Sequence, residues 1–277
     1  MKKKSNKIVF VIILIIAILA FLVCGGYLVK YFFFDSSDDI QNLHTSSSTQ
    51  SVSATNDETA PTEETQQPKH NYADKTQELS SSDFVDFHEL TQINPDIYAW
   101  IYIPNTNVDY PVAQSGDNED DSFYLDHNVY KNYQFSGTIY TEKQNSRDFT
   151  DPVTVMYGHN MLNGSMFATL HRFNDIDFFN QNRTMFVFTK DKVYTYFIYS
   201  AYQYDDRHIL NSFNMEEINS FREYLDTTLM VRPYYCNVRE NIELSTQDRI
   251  LTLSTCMNGG GNVRYLVQGV LVDEQDA

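Results

Sequence analysis

The sequence predicts a mainly β fold with flanking helices, in which a closed β-barrel of about eight strands follows N-terminal helices and carries one inserted helix. Two observations predict it. Eight short runs rich in β-branched and aromatic residues are bounded by Gly, Pro, Asn or Asp, as strands and their turns are. The 199 residues from Leu79 onward are enough for one substantial core. A barrel of this size has no exposed edge strands.

A helix is predicted over residues 83–90, where Phe84, Phe87 and Leu90 fall on one side. Asn94-Pro95-Asp96 then predicts the start of a second, short helical turn, because Pro is favoured at the first helical position. These two elements are the helices that precede the barrel.

The eight strands are predicted in order along the rest of the chain. Residues 192–201 have the strongest strand composition, with β-branched or aromatic side chains at nearly every position. The predicted strands are 100–103, 108–112, 137–141, 153–157, 185–189, 192–201, 249–255 and 263–272. A short helix is predicted over 165–173.

The inserted helix is predicted to begin after Asn214, which can cap it. Glu217, three residues later, completes an arrangement like a capping box. The helix has an apolar stripe formed by Ile218, Phe221, Leu225 and Leu229.

The N-terminal third predicts a membrane anchor and a stalk. Residues 8–29 form a nearly continuous apolar run of 22 residues, long enough to span a bilayer. The lysines in residues 1–7 predict a cytoplasmic N-terminus and an extracellular remainder. A cleaved signal peptide is the alternative, but its apolar region would be shorter. Residues 30–78 are rich in Ser and Thr and predict a flexible stalk, which leaves 79–277 as the folded domain.

Charge and composition exclude several classes of partner. The net charge is −17, although residues 1–30 carry five lysines and no acid. Such an acidic domain has no basic stripe for nucleic acid, so none is predicted as a partner. No zinc ligand pairs, calcium loop or phosphate loop occur in the sequence, which therefore predicts no metal and no cofactor.

Cys256 is the first candidate for chemistry. It ends the apolar run Thr252-Leu253-Ser254-Thr255-Cys256 and precedes a loop with three consecutive glycines. A cysteine is nucleophilic as the thiolate and needs a cationic neighbour or a base. A side chain at a strand end beside such a loop is well placed to meet a substrate. A structural cysteine fits the same position, and the residues alone leave both interpretations open.

His159 is a candidate base. It follows the predicted strand 153–157 within Tyr157-Gly158-His159-Asn160, and an accessible imidazole titrates near pH 6.5. It could protonate a leaving amine and later deprotonate an incoming one. Residue type alone does not favour His159 over His127 or His171.

Arg264 is a candidate for stabilising negative charge. Its guanidinium stays charged and offers several donors to a carbonyl or an oxyanion across the loop from Cys256. A surface ion pair is the alternative. No carboxylate lies between Cys256 and Arg264, so an aspartate from this loop is not available for a Cys-His-Asp triad.

Two other functions remain open. Cys256 could form a disulfide with Cys236 in a non-catalytic extracellular binding domain. A papain-like thiol hydrolase would need its cysteine near the start of a helix, and the β pattern before Cys256 argues against that.

The motifs together resemble those of the sortases, and of class B most closely. The resemblance is carried by Thr252-Leu253-Ser254-Thr255-Cys256 with Arg264 downstream, and by Tyr157-Gly158-His159-Asn160-Met161 upstream. It covers residues 83–272. Further stretches similar to that class are Ile93-Asn94-Pro95-Asp96, Trp100-Ile101-Tyr102-Ile103-Pro104, Val108-Asp109-Tyr110-Pro111-Val112 and Gly164-Ser165-Met166-Phe167.

The resemblance implies a sortase-like barrel and a membrane-anchored cysteine transpeptidase of Gram-positive bacteria. Cys256 would attack the Thr carbonyl of a C-terminal sorting motif in a surface protein and form a thioester. His159 would act as acid and then base, and Arg264 would position the substrate and stabilise the oxyanion. Ser254 and Thr255 would contribute to substrate binding. The acyl group would pass to an amine of a peptidoglycan peptide bridge or, in a pilin-polymerising enzyme, to a pilin lysine.

Overall fold

The computed structural model describes residues 14, 16–26, 72, 85–257 and 262–277. The chain divides into two units, Met1–Ser36 and Ser37–Ala277. In the first unit residues 16–26 are helical. Among the described residues, no helix combines the length and the apolar character that crossing a membrane requires. The predicted segment 1–7 and the rest of the predicted anchor 8–29 lie outside the described residues. So does all of the predicted stalk 30–78 except Tyr72.

Nine strands form one mixed sheet in the described part of the second unit. Their bounds are β1 Ile97–Tyr102, β2 Asp109–Ala113, β3 Ile139–Thr141, β4 Val153–Tyr157, β5 Thr184–Thr189, β6 Lys192–Asp205, β7 Cys236–Val238, β8 Ile250–Cys256 and β9 Val263–Asp276. Eight of them follow the order β5-β1-β2-β3-β4-β8-β9-β6, and the β5–β6 pairing closes the ring. The predicted eight-stranded barrel is confirmed. Strand β7, which was not predicted, extends the sheet beyond β6.

The pairing of the strands places two chain segments that are distant in sequence side by side. Strands β2 and β3 are parallel, and so are β4 and β8; the other pairs are antiparallel. Because β4 and β8 run in the same direction, their carboxyl ends reach the same edge of the barrel. This edge carries both Tyr157 and Cys256 as strand-terminal residues.

Four α-helices and two 3-10 helices accompany the barrel in the second unit's described residues. The α-helices are α1 Phe87–Ile93, α2 Ile176–Gln181, α3 Ile209–Ser212 and α4 Ile218–Leu229; the 3-10 helices are Phe123–Leu125 and Ala168–Asn174. The helix predicted over 165–173 is therefore a 3-10 helix that begins three residues later.

The predicted first helix begins and ends later in the chain than expected, at Phe87–Ile93 instead of 83–90, and the predicted second helical turn is wrong. Helix α1 begins after Asp86, whose carboxylate accepts hydrogen bonds from the first-turn amides of His88 and Glu89. Asn94-Pro95-Asp96 forms a turn that enters β1 directly. The buried Asn94 amide donates to the hydroxyl of Tyr124 and the carbonyl of Val129, which holds the turn against the barrel.

The cap of the inserted helix was also predicted wrongly. Glu217 is the N-cap of α4 and accepts a hydrogen bond from the Ser220 amide, whereas Asn214 lies in the preceding turn and accepts from Glu216. Ile218 of the predicted stripe is 69% exposed. The buried side of the helix is instead formed by Phe221, Tyr224, Leu225 and Thr228.

The core is divided into an interior part and smaller clusters outside the barrel. The largest cluster fills the barrel and includes Ile101, Val112, Met156, Leu253 and Val267. A second cluster packs α3 and α4 against the outer face of β4, β6, β8 and β9. A third packs α1 against β1 and β5, with Trp100 fully buried. Strand β8 is therefore covered on both faces until its last residue.

Candidate active site

Cys256 is held at the end of a strand that is otherwise buried. Residues Ile250 to Thr255 are buried and Cys256 alone in β8 is exposed. Thr252, at the middle of the strand, bonds the hydroxyl of Tyr224 on α4 at 2.8 Å and the amide oxygen of Gln268 on β9 at 2.7 Å. These buried bonds tie β8 to its neighbours, so the thiol is presented from a fixed strand.

Arg264 lies beside the thiol because of the strand register. It is the residue of β9 directly opposite Cys256. Directly opposed residues of an antiparallel pair project to the same face, with Cβ atoms about 4.5–5.5 Å apart. The sequence motif with a downstream arginine therefore places the guanidinium and the thiol next to each other on the barrel surface.

Ser254 and Thr255 project to opposite faces of β8. Ser254 shares the outer face of Cys256, and its strand partner is Leu266. Thr255 lies opposite Tyr265, whose ring belongs to the cluster inside the barrel. Both residues contribute to the groove that contains Cys256.

His159 follows β4 in a turn fixed at both ends. The Gly158 amide donates to the Ser254 carbonyl at 3.2 Å, and the His159 carbonyl accepts from the Phe167 amide at 2.9 Å. The imidazole stacks on Phe135 with ring centroids 5.2 Å apart. The backbone is thus tied to β8 through Gly158, and the ring is held by Phe135 from the segment between β2 and β3.

The hydrogen bonding of His159 selects its tautomer. Its Nε2 lies 2.8 Å from the carbonyl oxygen of Leu125, which can only accept, so Nε2 carries the proton. Burial lowers the pKa of His159 below its ordinary 6.5, against the opposing effects of the Leu125 carbonyl and the Asp126 carboxylate. The ring is consequently neutral at pH 7, with the lone pair on Nδ1.

Gly158 is required by the close packing below His159. A Cβ at this position would lie 2.5 Å from the Ile139 Cδ1 and 2.7 Å from the ring of Phe167, which is fully buried. We expect Gly158→Ala to lower the free energy of unfolding by about 1–3 kcal/mol through overpacking. Denaturant unfolding of the full chain, with and without the substitution, measures this change in the free energy of unfolding. Adding Ile139→Val, which removes the nearer contact, should restore part of the loss; no restoration would contradict this origin of the strain.

The three candidate catalytic residues line one groove on the outside of the barrel, with a volume of about 300 Å³. Its opposite wall is formed by residues 206–209, which follow β6 and were not singled out from the sequence. His208 caps α3 through Nδ1, which accepts from the Asn211 amide, and its Nε2 lies 2.5 Å from the Glu142 carboxylate. This pair holds the opposite wall against the end of β3.

Two further side chains contact the strand end, and sequence reasoning assigned them no role. The Cys256 carbonyl oxygen lies 3.0 Å from Nδ2 of Asn160 and 3.0 Å from Nε2 of His171. His171 comes from the 3-10 helix Ala168–Asn174. Unlike His159, it does not line the groove that contains the thiol. His127 also lies elsewhere, stacked on Phe123.

The cysteines are not paired. Both Cys236 and Cys256 are free, so the alternative of a binding domain with a Cys236–Cys256 disulfide is wrong in that respect. Cys236 is half-buried in β7, with its Sγ 3.7 Å from the Met230 carbonyl oxygen.

A family model described as the Sortase domain matches residues 101–272. The chain belongs to the sortase family. This sortase is 34% identical to sortase B of Listeria monocytogenes over 189 residues, which are 68% of this chain and 74% of that protein. The resemblance to class B sortases and the assignment as a sortase-type cysteine transpeptidase are confirmed.

Solved structures agree with this assignment. The sortase matches Clostridium perfringens sortase B with a TM-score of 0.58 and 34% identity, over 68% of this chain and 100% of that one. It shares the fold of the Staphylococcus aureus sortase B–substrate complex, with a TM-score of 0.57, 24% identity and coverage of 68% and 84%.

Proposed function

We propose that this sortase is membrane-anchored, cleaves a C-terminal sorting motif after Thr in surface proteins, and transfers the acyl group to an amine of the cell wall. The observation that carries the proposal is the single groove that brings together Cys256, His159 and Arg264. A nucleophile, a neutral imidazole with a free Nδ1 and a permanent cation are the groups that acyl transfer requires. The existence of a substrate complex of Staphylococcus aureus sortase B supports this use of the groove.

The first half of the proposed reaction forms a thioester. Nδ1 of His159 accepts the thiol proton, and the Cys256 sulfur attacks the Thr carbonyl carbon. The carbonyl electrons move onto oxygen, where the Arg264 guanidinium stabilises the negative charge. When the carbonyl re-forms, the C–N bond breaks and Nδ1 returns its proton to the leaving amine.

The second half reverses the proton transfers. The acceptor amine attacks the thioester carbonyl, and Nδ1 of His159 takes a proton from the amine nitrogen. The C–S bond breaks, and the sulfur of Cys256 recovers the proton from His159. The products are the new amide and the free enzyme, so the reaction consumes no cofactor.

The membrane anchor and stalk are part of the proposal. It is supported by the 22-residue apolar run at 8–29, the lysines before it, and the Ser- and Thr-rich segment at 30–78. In this arrangement residues 1–7 are cytoplasmic and 79–277 form the extracellular catalytic domain. Protease treatment of intact cells tests the orientation, since only a domain outside the membrane would be degraded.

Product analysis tests the reaction itself. The full chain, in detergent, is mixed with a pool of Thr-containing sorting peptides and hydroxylamine, triglycine or a lysine-bearing peptide. A Thr-hydroxamate or a Thr-amide adduct identifies the motif and the acyl transfer. Preference for triglycine favours a wall-bridge acceptor, and preference for the lysine peptide favours pilin polymerisation. Cleavage that never depends on an amine, or no product with any peptide, would contradict the proposal.

Arg264→Ala should lower kcat/KM by about 10²–10³-fold, because the developing oxyanion loses its charged donor. Arg264→Lys keeps the charge but not the planar set of donors, and should retain an intermediate activity. Steady-state transfer to hydroxylamine measures both. Arg222→Ala is the matched control, since Arg222 binds the Leu244 carbonyl away from the groove. Equal losses in Arg264→Ala and Arg222→Ala would argue against a role at the oxyanion.

A further inference from the structure

We propose that His171 and Asn160 are positioning residues that clamp the peptide unit after Cys256 and thereby hold the thiol in place relative to His159. This inference rests on the proposed roles of Cys256 and His159. It concerns what fixes the nucleophile at the end of its strand.

The Cys256–Met257 peptide unit is hydrogen-bonded on both sides. Its carbonyl oxygen accepts from Asn160 and His171, each at 3.0 Å, which uses both of its lone pairs. Its N–H, on Met257, donates to the Val263 carbonyl oxygen at 3.2 Å. The orientation of this peptide plane is therefore set by three separate chain segments.

The two donors come from rigid surroundings. Asn160 adjoins His159 and pairs with Met166 in an isolated bridge, so its amide links the cysteine strand directly to the histidine turn. The His171 ring lies against Tyr265, with centroids 4.9 Å apart, and Tyr265 is fully buried. The clamp thus joins the two turns that carry the candidate nucleophile and base.

The protonation of His171 suits a donor with no role in proton transfer. Its Nε2 faces a carbonyl oxygen, so that nitrogen carries the proton. Burial lowers the pKa of His171 below its ordinary 6.5, against the effect of the Cys256 carbonyl, and the ring is neutral at pH 7. A neutral donor leaves the charge around the thiol unchanged.

A fixed strand end matters because acyl transfer depends on the placement of the reacting atoms. A displacement of about 1 Å can cost about 10²-fold in rate. The sequence after Met257 contains three consecutive glycines, which restrict the backbone least of all residues. Side-chain bonds to the Cys256 carbonyl supply the restraint that glycine does not.

The test compares His171→Leu, which removes the donor, with His171→Gln, which retains an N–H at similar reach. In the full chain, we expect His171→Leu to lower kcat for hydroxylamine transfer about tenfold while KM changes less than about twofold. His171→Gln should stay within about threefold of wild type. Asn160→Asp, which replaces the amide donor by a carboxylate of similar shape, should also lower kcat. The control His88→Leu, an exposed residue of α1, should match wild type.

Thermal unfolding of each variant identifies any that does not fold, and Asn160→Asp then serves in place of a misfolded His171→Leu. Unchanged kcat in folded His171→Leu, equal losses in Leu and Gln variants, or a loss confined to KM would each overturn the positioning role. If the Cys256→Ala variant still carried out the transfer, that result would instead overturn the proposed function. Rescue by Gln with a loss confined to kcat supports the clamp.

Discussion

Cys256→Ala should abolish transfer, lowering kcat by about 10⁶-fold, as removal of a nucleophile does in hydrolases that use a covalent intermediate. The reason is that no other described side chain of the groove is a thiol, and without one no thioester forms. Intact-mass measurement of the full chain with a sorting peptide should show an acyl adduct in wild type and none in the variant. The same samples, with hydroxylamine added, should show a hydroxamate product only in wild type.

Cys236→Ala is the matched control for this experiment. Its thiol lies in β7 and does not line the groove, so activity within about twofold of wild type is expected. Alkylation followed by peptide mapping should label the exposed Cys256 before the half-buried Cys236. Residual amine-dependent transfer by Cys256→Ala would exclude Cys256 as the nucleophile.

His159→Ala should lower kcat by about 10²–10⁴-fold, the usual contribution of a general acid–base. The pH dependence follows from the lowered pKa. Because burial favours the neutral ring, Nδ1 can take the thiol proton at any pH above a folded-state pKa that lies below 6.5. The midpoint of the acid limb of the kcat/KM profile should therefore lie below pH 6.5. Activity should be lost as the pH decreases through the pKa of His159, because the protonated ring can no longer accept the thiol proton.

The profile of wild type and of His159→Ala distinguishes this role from simple packing. The variant should lose the acid limb together with the rate, and added imidazole should restore some transfer. His88→Ala should change neither quantity, because His88 lies on α1 and away from the groove. An acid limb above pH 6.5 in wild type would contradict a His159 whose burial holds it neutral.

The strands could be predicted because their side chains alternate between two buried faces. The predicted strand 153–157 has the bounds of β4, and its strong β-branched pattern needs no information from distant residues. Strand β7 could not be found in this way, since its three residues are all half-buried and pair only with β6. Asn214 had the residue type of a cap, but its side chain closes the turn before α4.

The candidate site was predictable where chemistry depends on side-chain type. Cys256, His159 and Arg264 were named from their motifs, and all three line one groove. The Leu125 carbonyl that orients His159 could not be predicted, because every residue has such a carbonyl and only tertiary structure brings it within 2.8 Å. The same holds for the Cys256 carbonyl, whose two donors come from residues 96 and 85 positions earlier.

The parallel pairing of β4 with β8 also determines when the enzyme first becomes competent during its synthesis. Contacts between segments this far apart in sequence raise the contact order and form after local structure. The ribosome makes the histidine turn before the cysteine and its arginine neighbour, which belong to the last two strands of the barrel. A nascent chain that lacks β9 has an incomplete barrel and no guanidinium beside the thiol. The groove that holds the thiol, the imidazole and the guanidinium is therefore complete only once β9 has joined the barrel.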